Sequence, residues 1–356
     1  MVRSSMRVAR LYRLSTCCFV LLVSLILGCA TPRVEAPPPA APPVIPPPSV
    51  APPRVEAKVF PDFVAVIAQE GDTLSSLAAK YLNDPSKDWW IAEFNDTDSL
   101  KPGQELLIPL KPYGKGGLTS KGYQIVPVLS YHNFSRTEAR KMVVTEASFE
   151  EQMKLLKDKG YRVITMDQLF DFLNFTGQIP QKSVVINIDD GWRSAYEIAF
   201  PILKKYGYPA TLFIYTDLIT GGEKTLSWEL IQEMSNNGID VECHTRTHRD
   251  LTKMEKKESF KDYFDAVGKE LSDCAAIVKK RLNKDVKYLA YPYGNTNHLI
   301  IELAKKDGFR GAFTVKREGN PFFIHPYRLN RSMIYGEYNL EQFEKNLSVF
   351  TEESLK

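Results

Sequence analysis

The run Val184-Val185-Ile186-Asn187-Ile188-Asp189-Asp190-Gly191 constrains this chain more than any other stretch. Its apolar part reads as a strand buried on both faces, as in a parallel sheet. Two adjacent carboxylates stand where the strand ends, and a glycine turns the chain away. Side-by-side carboxylates out of full contact with water repel each other unless a cation or a shared proton lies between them. The strand end is therefore a candidate metal or acid–base site. A second polar cluster, His244-Thr245-Arg246-Thr247-His248, follows another strand-like run, Ile239 to Glu242.

Strands and helices alternate from Ile125 onward. The pattern predicts strands at 126–131, 162–165, 210–215, 239–242, 288–290 and 311–315, besides the acidic one. Helices are expected at 148–159, 167–174, 194–206, 228–236, 259–281 and 299–306, the first with Ser148 and Glu151 as a capping box. Repeated β-α units imply an α/β fold with a parallel sheet closed, or nearly closed, as a barrel. In such barrels the chemistry sits where strands end. His132, Asp189 with Asp190, His244 with His248, and Tyr291-Pro292-Tyr293-Gly294 each follow a different strand.

The N-terminus is a targeting segment. Arg3, Arg7, Arg10 and Arg13 precede the apolar run Phe19 to Leu27, which is too short for a comfortable membrane span. Ile26-Leu27-Gly28-Cys29 resembles the bacterial lipobox, so residues 1–28 read as a lipoprotein signal and Cys29 as the lipidated residue. Ala30 after it resembles outer-membrane sorting in Gram-negative bacteria, which implies a lipid-anchored protein of the cell envelope facing the periplasm. Residues 32–62 contain 12 of the chain's 23 prolines. That composition makes 29–62 an extended spacer, with a reach of roughly 90 Å. With Cys17 and Cys18 in the signal, Cys243 and Cys274 remain in the globular part; one disulfide is open to them in an oxidising compartment, and buried free thiols are the expected state. A net charge of +3 gives no electrostatic reason to expect nucleic acid.

Residues 63–111 form a compact unit. Val64 to Ala68 is strand-like, Gly71-Asp72-Thr73-Leu74 supplies a turn in which Asp72 or Thr73 caps a helix, and Leu106-Leu107-Ile108-Pro109 closes as a strand. With Lys101-Pro102-Gly103-Gln104-Glu105-Leu106 before that strand, the unit resembles the LysM module, a βααβ fold that binds glycans containing N-acetylglucosamine. Trp89 and Trp90 read as core and rim packing. Residues 112–122, rich in glycine and lysine, form a linker to the domain at 123–356.

Two histidines four apart, with a carboxylate from another strand, make a divalent-metal ligand set with open positions. A metalloprotease helix would need glutamate after the first histidine, where Thr245 stands. Cys243 alternates away from His244 and is not expected to be a ligand.

Asn187-Ile188-Asp189-Asp190-Gly191, His244-Thr245-Arg246-Thr247-His248 and Tyr291-Pro292-Tyr293-Gly294 resemble, in order, the first three motifs of the polysaccharide deacetylases, carbohydrate esterase family 4. That resemblance implies a distorted (β/α) barrel that uses a divalent metal, often zinc, to remove acetyl groups from N-acetylglucosamine polymers. It assigns Asp189 as general base, Asp190, His244 and His248 as metal ligands, and the backbone N–H of Tyr293 as oxyanion donor. Two departures stand out. The late Leu-x-His acid motif has no clear copy; His132, in Leu129-Ser130-Tyr131-His132-Asn133, resembles the permuted position in deacetylases of biofilm poly-N-acetylglucosamine and is taken as the general acid, with His325 as rival. His298 reads as a surface residue at a helix start. The arginine that precedes Pro-Tyr in the common motif and tethers the catalytic aspartate is also absent; Arg331, ahead of Arg328, is the replacement.

The sequence thus points to a metal-dependent deacetylase of peptidoglycan or exported poly-N-acetylglucosamine, bound to glycan through LysM and to a membrane through lipid. A catalytically inactive glycan-binding lipoprotein is the alternative. A small-amide amidase of the same barrel family fits the signal, spacer and LysM module less well.

Overall fold

Residues 57–353, Lys115 excepted, are described by the computed structural model. The signal segment, Cys29 and the spacer through residue 56 lie outside the described residues. Among the described residues no helix is long and apolar enough to cross a membrane.

The first module runs β1 (Lys58–Val59), β2 (Phe63–Ile67), α1 (Leu74–Leu82), α2 (Asp88–Phe94) and β3 (Glu105–Pro109). Its strands form one antiparallel sheet in the order β1-β2-β3. This is the expected βααβ unit with one short strand added in front. Lys58 and Val59, read as spacer, pair with Ala65 and Val64. Thr73 caps α1: its hydroxyl accepts the Ser76 N–H at 3.0 Å, and the Ser76 hydroxyl oxygen accepts the Thr73 N–H at 2.9 Å. Trp90 is buried against Tyr113, and Trp89 is half-buried.

What reads as one strand at 126–131 is two, β4 (Gly122–Val126) and β5 (Val128–Tyr131). Pro127 divides them, because it has no N–H to continue a ladder. Then come α3 (Glu146–Asp158), β6 (Arg162–Val163), α4 (Met166–Leu173), β7 (Ser183–Asp190), α5 (Phe200–Tyr206), β8 (Ala210–Ile214) and α6 (Trp228–Asn236). The chain continues through β9 (Ile239–Cys243), α7 (Phe260–Leu282), β10 (Tyr288–Ala290), α8 (His298–Lys306), β11 (Gly311–Phe313) and β12 (Ser332–Met333). Thr145, not Ser148, caps α3, accepting the Ser148 N–H at 3.1 Å. The helix expected from Ser194 opens with a π-helical turn, Ala195–Ala199, before α5. Pro201 stands at the junction and has no N–H to return to the preceding turn.

All the barrel strands are parallel, in the order β11-β10-β9-β8-β7-β5-β12, with β6 added beside β7. The two edges meet. Leu329 N–H donates to the Ala312 carbonyl at 2.9 Å and Thr314 N–H to the Leu329 carbonyl at 2.8 Å, joining β11 to the chain that enters β12. Alternation sorts the apolar side chains: Val128, Val185, Phe213, Tyr288 and Phe313 fill the interior, while Ile186, Ile188, Leu212 and Ile214 face the helices. Helix α4 plugs the end where strands begin. Its Phe170 packs on Tyr288 with ring centroids 4.6 Å apart. A Cβ at position 311 would lie 2.1 Å from the Phe170 ring, so glycine makes room for the plug.

The first module rests on that same end. Asp88 pairs with Arg162 at 3.0 Å, Glu93 accepts the Gln181 N–H at 2.8 Å, and the Tyr113 hydroxyl donates to the Trp90 carbonyl at 3.2 Å. The end where the strands finish is left open.

Candidate active site

Strand β7 finishes on Asp189, which points into the barrel, and Asp190, which turns out at the rim. Asp190 has φ +79° and is followed by Gly191 at φ +110°. A Cβ on residue 191 would lie 2.5 Å from Ile219, so glycine is required for this turn. The turn brings Trp192 back, and its indole N–H donates to Asp190 Oδ2 at 2.9 Å. That bond leaves Asp190 Oδ1 facing the two histidines.

His244 and His248 come from the loop after β9. Asp190 Oδ1 lies 3.7 Å from Nε2 of each. One ligand atom from each of Asp190, His244 and His248 falls within 4.8 Å of the others. The donor set fits a divalent cation: two imidazoles and a carboxylate suit zinc and its neighbours. The outer contacts agree. His244 Nδ1 sits 2.7 Å from the Ala290 carbonyl, which makes Nδ1 the protonated nitrogen and leaves the Nε2 lone pair free. Burial pushes the His244 pKa down against the opposing charges of Asp189 and Asp190, which keeps the ring neutral, as a ligand must be.

Asp189 is 1% exposed and bound by Arg331. Burial by itself would raise its carboxyl, but the Arg331 charge, helped by His244 and His132, outweighs it and holds the group below the usual carboxylate range. Ser130 Oγ adds a long contact at 3.4 Å. His132, at the end of β5, places Nε2 3.9 Å from Asp189 Oδ2. Tyr293 has φ +61°, is well exposed, and sets its ring 4.9 Å from that of His248. Thr245 at φ +72° and His248 at φ +67° share the left-handed conformation with Asp190 and Tyr293. Strained backbone gathered in one place is a mark of function.

His132, Asp189, Asp190, His244, His248 and Tyr293 thus line one pocket of about 330 Å³, with Arg331 at its base. Arg328 and His325 do not. His325 lies on the exposed turn before Tyr327, whose N–H its Nδ1 accepts at 3.1 Å, beside the chain that pairs with the start of β11. His298 is exposed at the start of α8. Cys243 points away from the pocket and is bonded to Cys274 of α7, with Cα atoms 6.1 Å apart. The expected free thiols are therefore a disulfide, because the outward face of β9 meets the face of α7 that carries Cys274. The only sequence signal for Trp192 is its place directly after the Asp-Asp-Gly turn. The apolar wall of Met142, Val143, Val315 and Met333 left no sequence signal, since each looks like ordinary core.

Comparison with known proteins places this geometry. The family model described as polysaccharide deacetylase matches residues 176–312, and the LysM domain model matches residues 66–109. A poly-β-1,6-N-acetyl-D-glucosamine N-deacetylase of Staphylococcus aureus is 31% identical over 211 residues, covering 57% of this chain and 72% of that protein. The chain belongs to the polysaccharide deacetylase family. Solved structures similar to this deacetylase include the Streptococcus pyogenes deacetylase PplD in complex with acetate. It is 25% identical with a TM-score of 0.57, over 64% of this chain and 99% of that one. IcaB from Ammonifex degensii is 25% identical with a TM-score of 0.56, over 64% and 98%.

Proposed function

We propose that this deacetylase hydrolyses the acetamide of N-acetylglucosamine units in an envelope polysaccharide, with a divalent cation, zinc in our reading, as cofactor. One observation carries the proposal: a buried, Arg-tethered carboxylate, Asp189, stands beside an Asp190–His244–His248 donor set in a single pocket. A binding module has no need of a buried, ionised carboxylate next to a cation site.

Asp190, His244 and His248 would hold the cation, which when bound lowers the pKa of a water and polarises the acetamide carbonyl. Asp189, ionised at neutral pH, takes the proton of the attacking water. Arg331 balances its charge and holds both carboxylate oxygens in place. The Tyr293 N–H donates to the carbonyl oxygen as that oxygen gains charge. His132 gives a proton to the departing nitrogen, since a bare amide anion is a poor leaving group. Met142, Val143, Val315 and Met333 offer the acetyl methyl an apolar wall. The products are acetate and a free amino sugar.

Two polymers supply this unit, peptidoglycan and exported poly-N-acetylglucosamine. The LysM domain supports the first. The named activity of the S. aureus relative supports the second. The lipobox-like Cys29 supports an anchor in the envelope, and the Cys243–Cys274 disulfide supports an oxidising compartment. Acetate release from a chito-oligosaccharide, with and without chelator, tests the chemistry. No release with any divalent metal would leave a glycan-binding lipoprotein. Mass analysis of products from purified peptidoglycan and from poly-N-acetylglucosamine separates the two substrates.

A further inference from the structure

The loop that carries both histidines is braced from behind by one helix. Helix α7 turns Glu270, Asp273 and Cys274 towards it, residues three and four apart and so on one side of the helix. Glu270 is 6% exposed. Its Oε2 accepts the N–H of Arg246 at 3.0 Å and of Thr247 at 2.8 Å, and its Oε1 accepts the Thr247 hydroxyl at 2.7 Å. One turn on, Cys274 is bonded to Cys243, the residue before His244. Asp273 takes the Arg246 guanidinium at 2.9 Å nearer the surface.

This loop needs an external brace. Thr245 and His248 both hold left-handed backbone, at φ +72° and +67°, where a residue with a side chain is strained. Within the loop, the His248 N–H reaches Thr245 Oγ1 at 3.1 Å. Two of the three N–H groups between the histidines, those of Arg246 and Thr247, point at Glu270 instead. A buried carboxylate that accepts two successive amides fixes the curvature between them, and with it the separation of the two imidazoles.

The geometry points to Glu270 as a positioning residue of the cation site: it holds His244 and His248 at ligand spacing without being a ligand, and cation affinity depends on it. This rests on the reading of Asp190, His244 and His248 as cation ligands. Glu270→Gln keeps size and shape but turns an amide NH₂ towards loop donors or forfeits an acceptor. Thr247→Val, on an exposed residue, removes only the hydroxyl bond.

The test uses the whole protein stripped of metal and titrated with Co²⁺. Affinity is read by calorimetry, the histidine environment by the visible Co²⁺ spectrum, and folding by the Tm of the stripped protein. Glu270→Gln is expected to weaken Co²⁺ binding by about 10- to 100-fold, the range for partners that orient metal ligands, and to alter the spectrum at near wild-type Tm. Thr247→Val moves affinity the same way by less, and Asp273→Asn leaves it unchanged because that pair is solvent-exposed. Wild-type affinity in Glu270→Gln, with or without a lower Tm, overturns the inference. If Glu270→Gln does not fold, Thr247→Val decides, and wild-type affinity there overturns the inference equally. A wild-type protein that takes up no cation, or a His244→Ala variant that binds as well as wild type, sinks the underlying ligand assignment instead.

Discussion

Arg331 Nη1 lies 2.8 Å from both carboxylate oxygens of Asp189, and both side chains are 1% exposed. The pair links positions 142 residues apart and puts the tether of the proposed base immediately before the strand that closes the barrel, not in the Tyr-Pro-Tyr-Gly motif. Removing one partner of a buried ion pair leaves the other uncompensated, which costs about 3–5 kcal/mol. Arg331→Met is expected to lose that much in denaturant unfolding at neutral pH. The sign with pH follows from the lowered Asp189 pKa: its favourable contribution is present above the ordinary carboxylate value of 3.8 and fades as pH falls through the folded value. Without Arg331 the opposing effect of burial dominates, so the acid limb of kcat/KM should move to higher pH. An unshifted acid limb would separate Asp189 from the proton transfer.

Base and ligand roles part in two substitutions. Asp189→Asn keeps the shape of the site but cannot take a proton, so acetate release should vanish while bound metal persists. His244→Ala removes a donor whose Nδ1 is already committed to the Ala290 carbonyl, so metal content itself should fall. Metal analysis beside an acetate assay distinguishes them. A metal-free Asp189→Asn protein would mean that Asp189 is a ligand.

His132→Ala should slow turnover by roughly 10²–10⁴-fold, the usual contribution of a positioned acid. His325→Ala should leave turnover unchanged, since His325 is on an exposed turn outside the pocket. Steady-state kinetics on one soluble oligosaccharide compares the two. The reverse pattern would move the acid role to His325.

Much of this arrangement is legible in the sequence because each motif ends a strand, and strand ends share one rim. Val184 to Asp190 announces both its burial and its charge. Arg331 is legible only through the family resemblance, as a stand-in for the arginine missing before Pro-Tyr, and the sequence leaves Arg328 beside it as a rival. Glu270 could not be found so. It is a polar residue on an amphipathic helix, and nothing local distinguishes it from a solvated glutamate until α7 is packed on β9. Whether Cys243 and Cys274 bond is undecided in the sequence for the same reason, as pairing depends on which helix covers the outer face of a strand.

That disulfide closes a loop with a sequence separation of 31, for which chain entropy gives about 3–4 kcal/mol. Cys274→Ser should lower unfolding stability by up to that amount, and reductant should lower the wild type similarly while leaving the variant unmoved. A stability in Cys274→Ser that still responds to reductant would place the sensitivity elsewhere.

Glu93 carries a pH dependence located at the seam between the LysM module and the barrel. Burial there pushes its carboxyl up to about 7, against the lowering effects of the Gln181 N–H and the Arg162 charge. A carboxyl raised in the folded state contributes stability that is fully present below its ordinary value of 4.5 and is lost as pH rises through about 7. Glu93→Gln can still accept the Gln181 N–H but stays neutral. Wild type and variant should therefore be matched near pH 4.5, and the variant should be the more stable at pH 8. The side chain is only partly buried, so solvent screening reduces the difference to on the order of 1 kcal/mol. Denaturant unfolding of both proteins at the two pH values measures it. A variant less stable than wild type at pH 8 would show that the ionised Glu93, paired with Arg162, holds the seam, and that burial is the smaller effect.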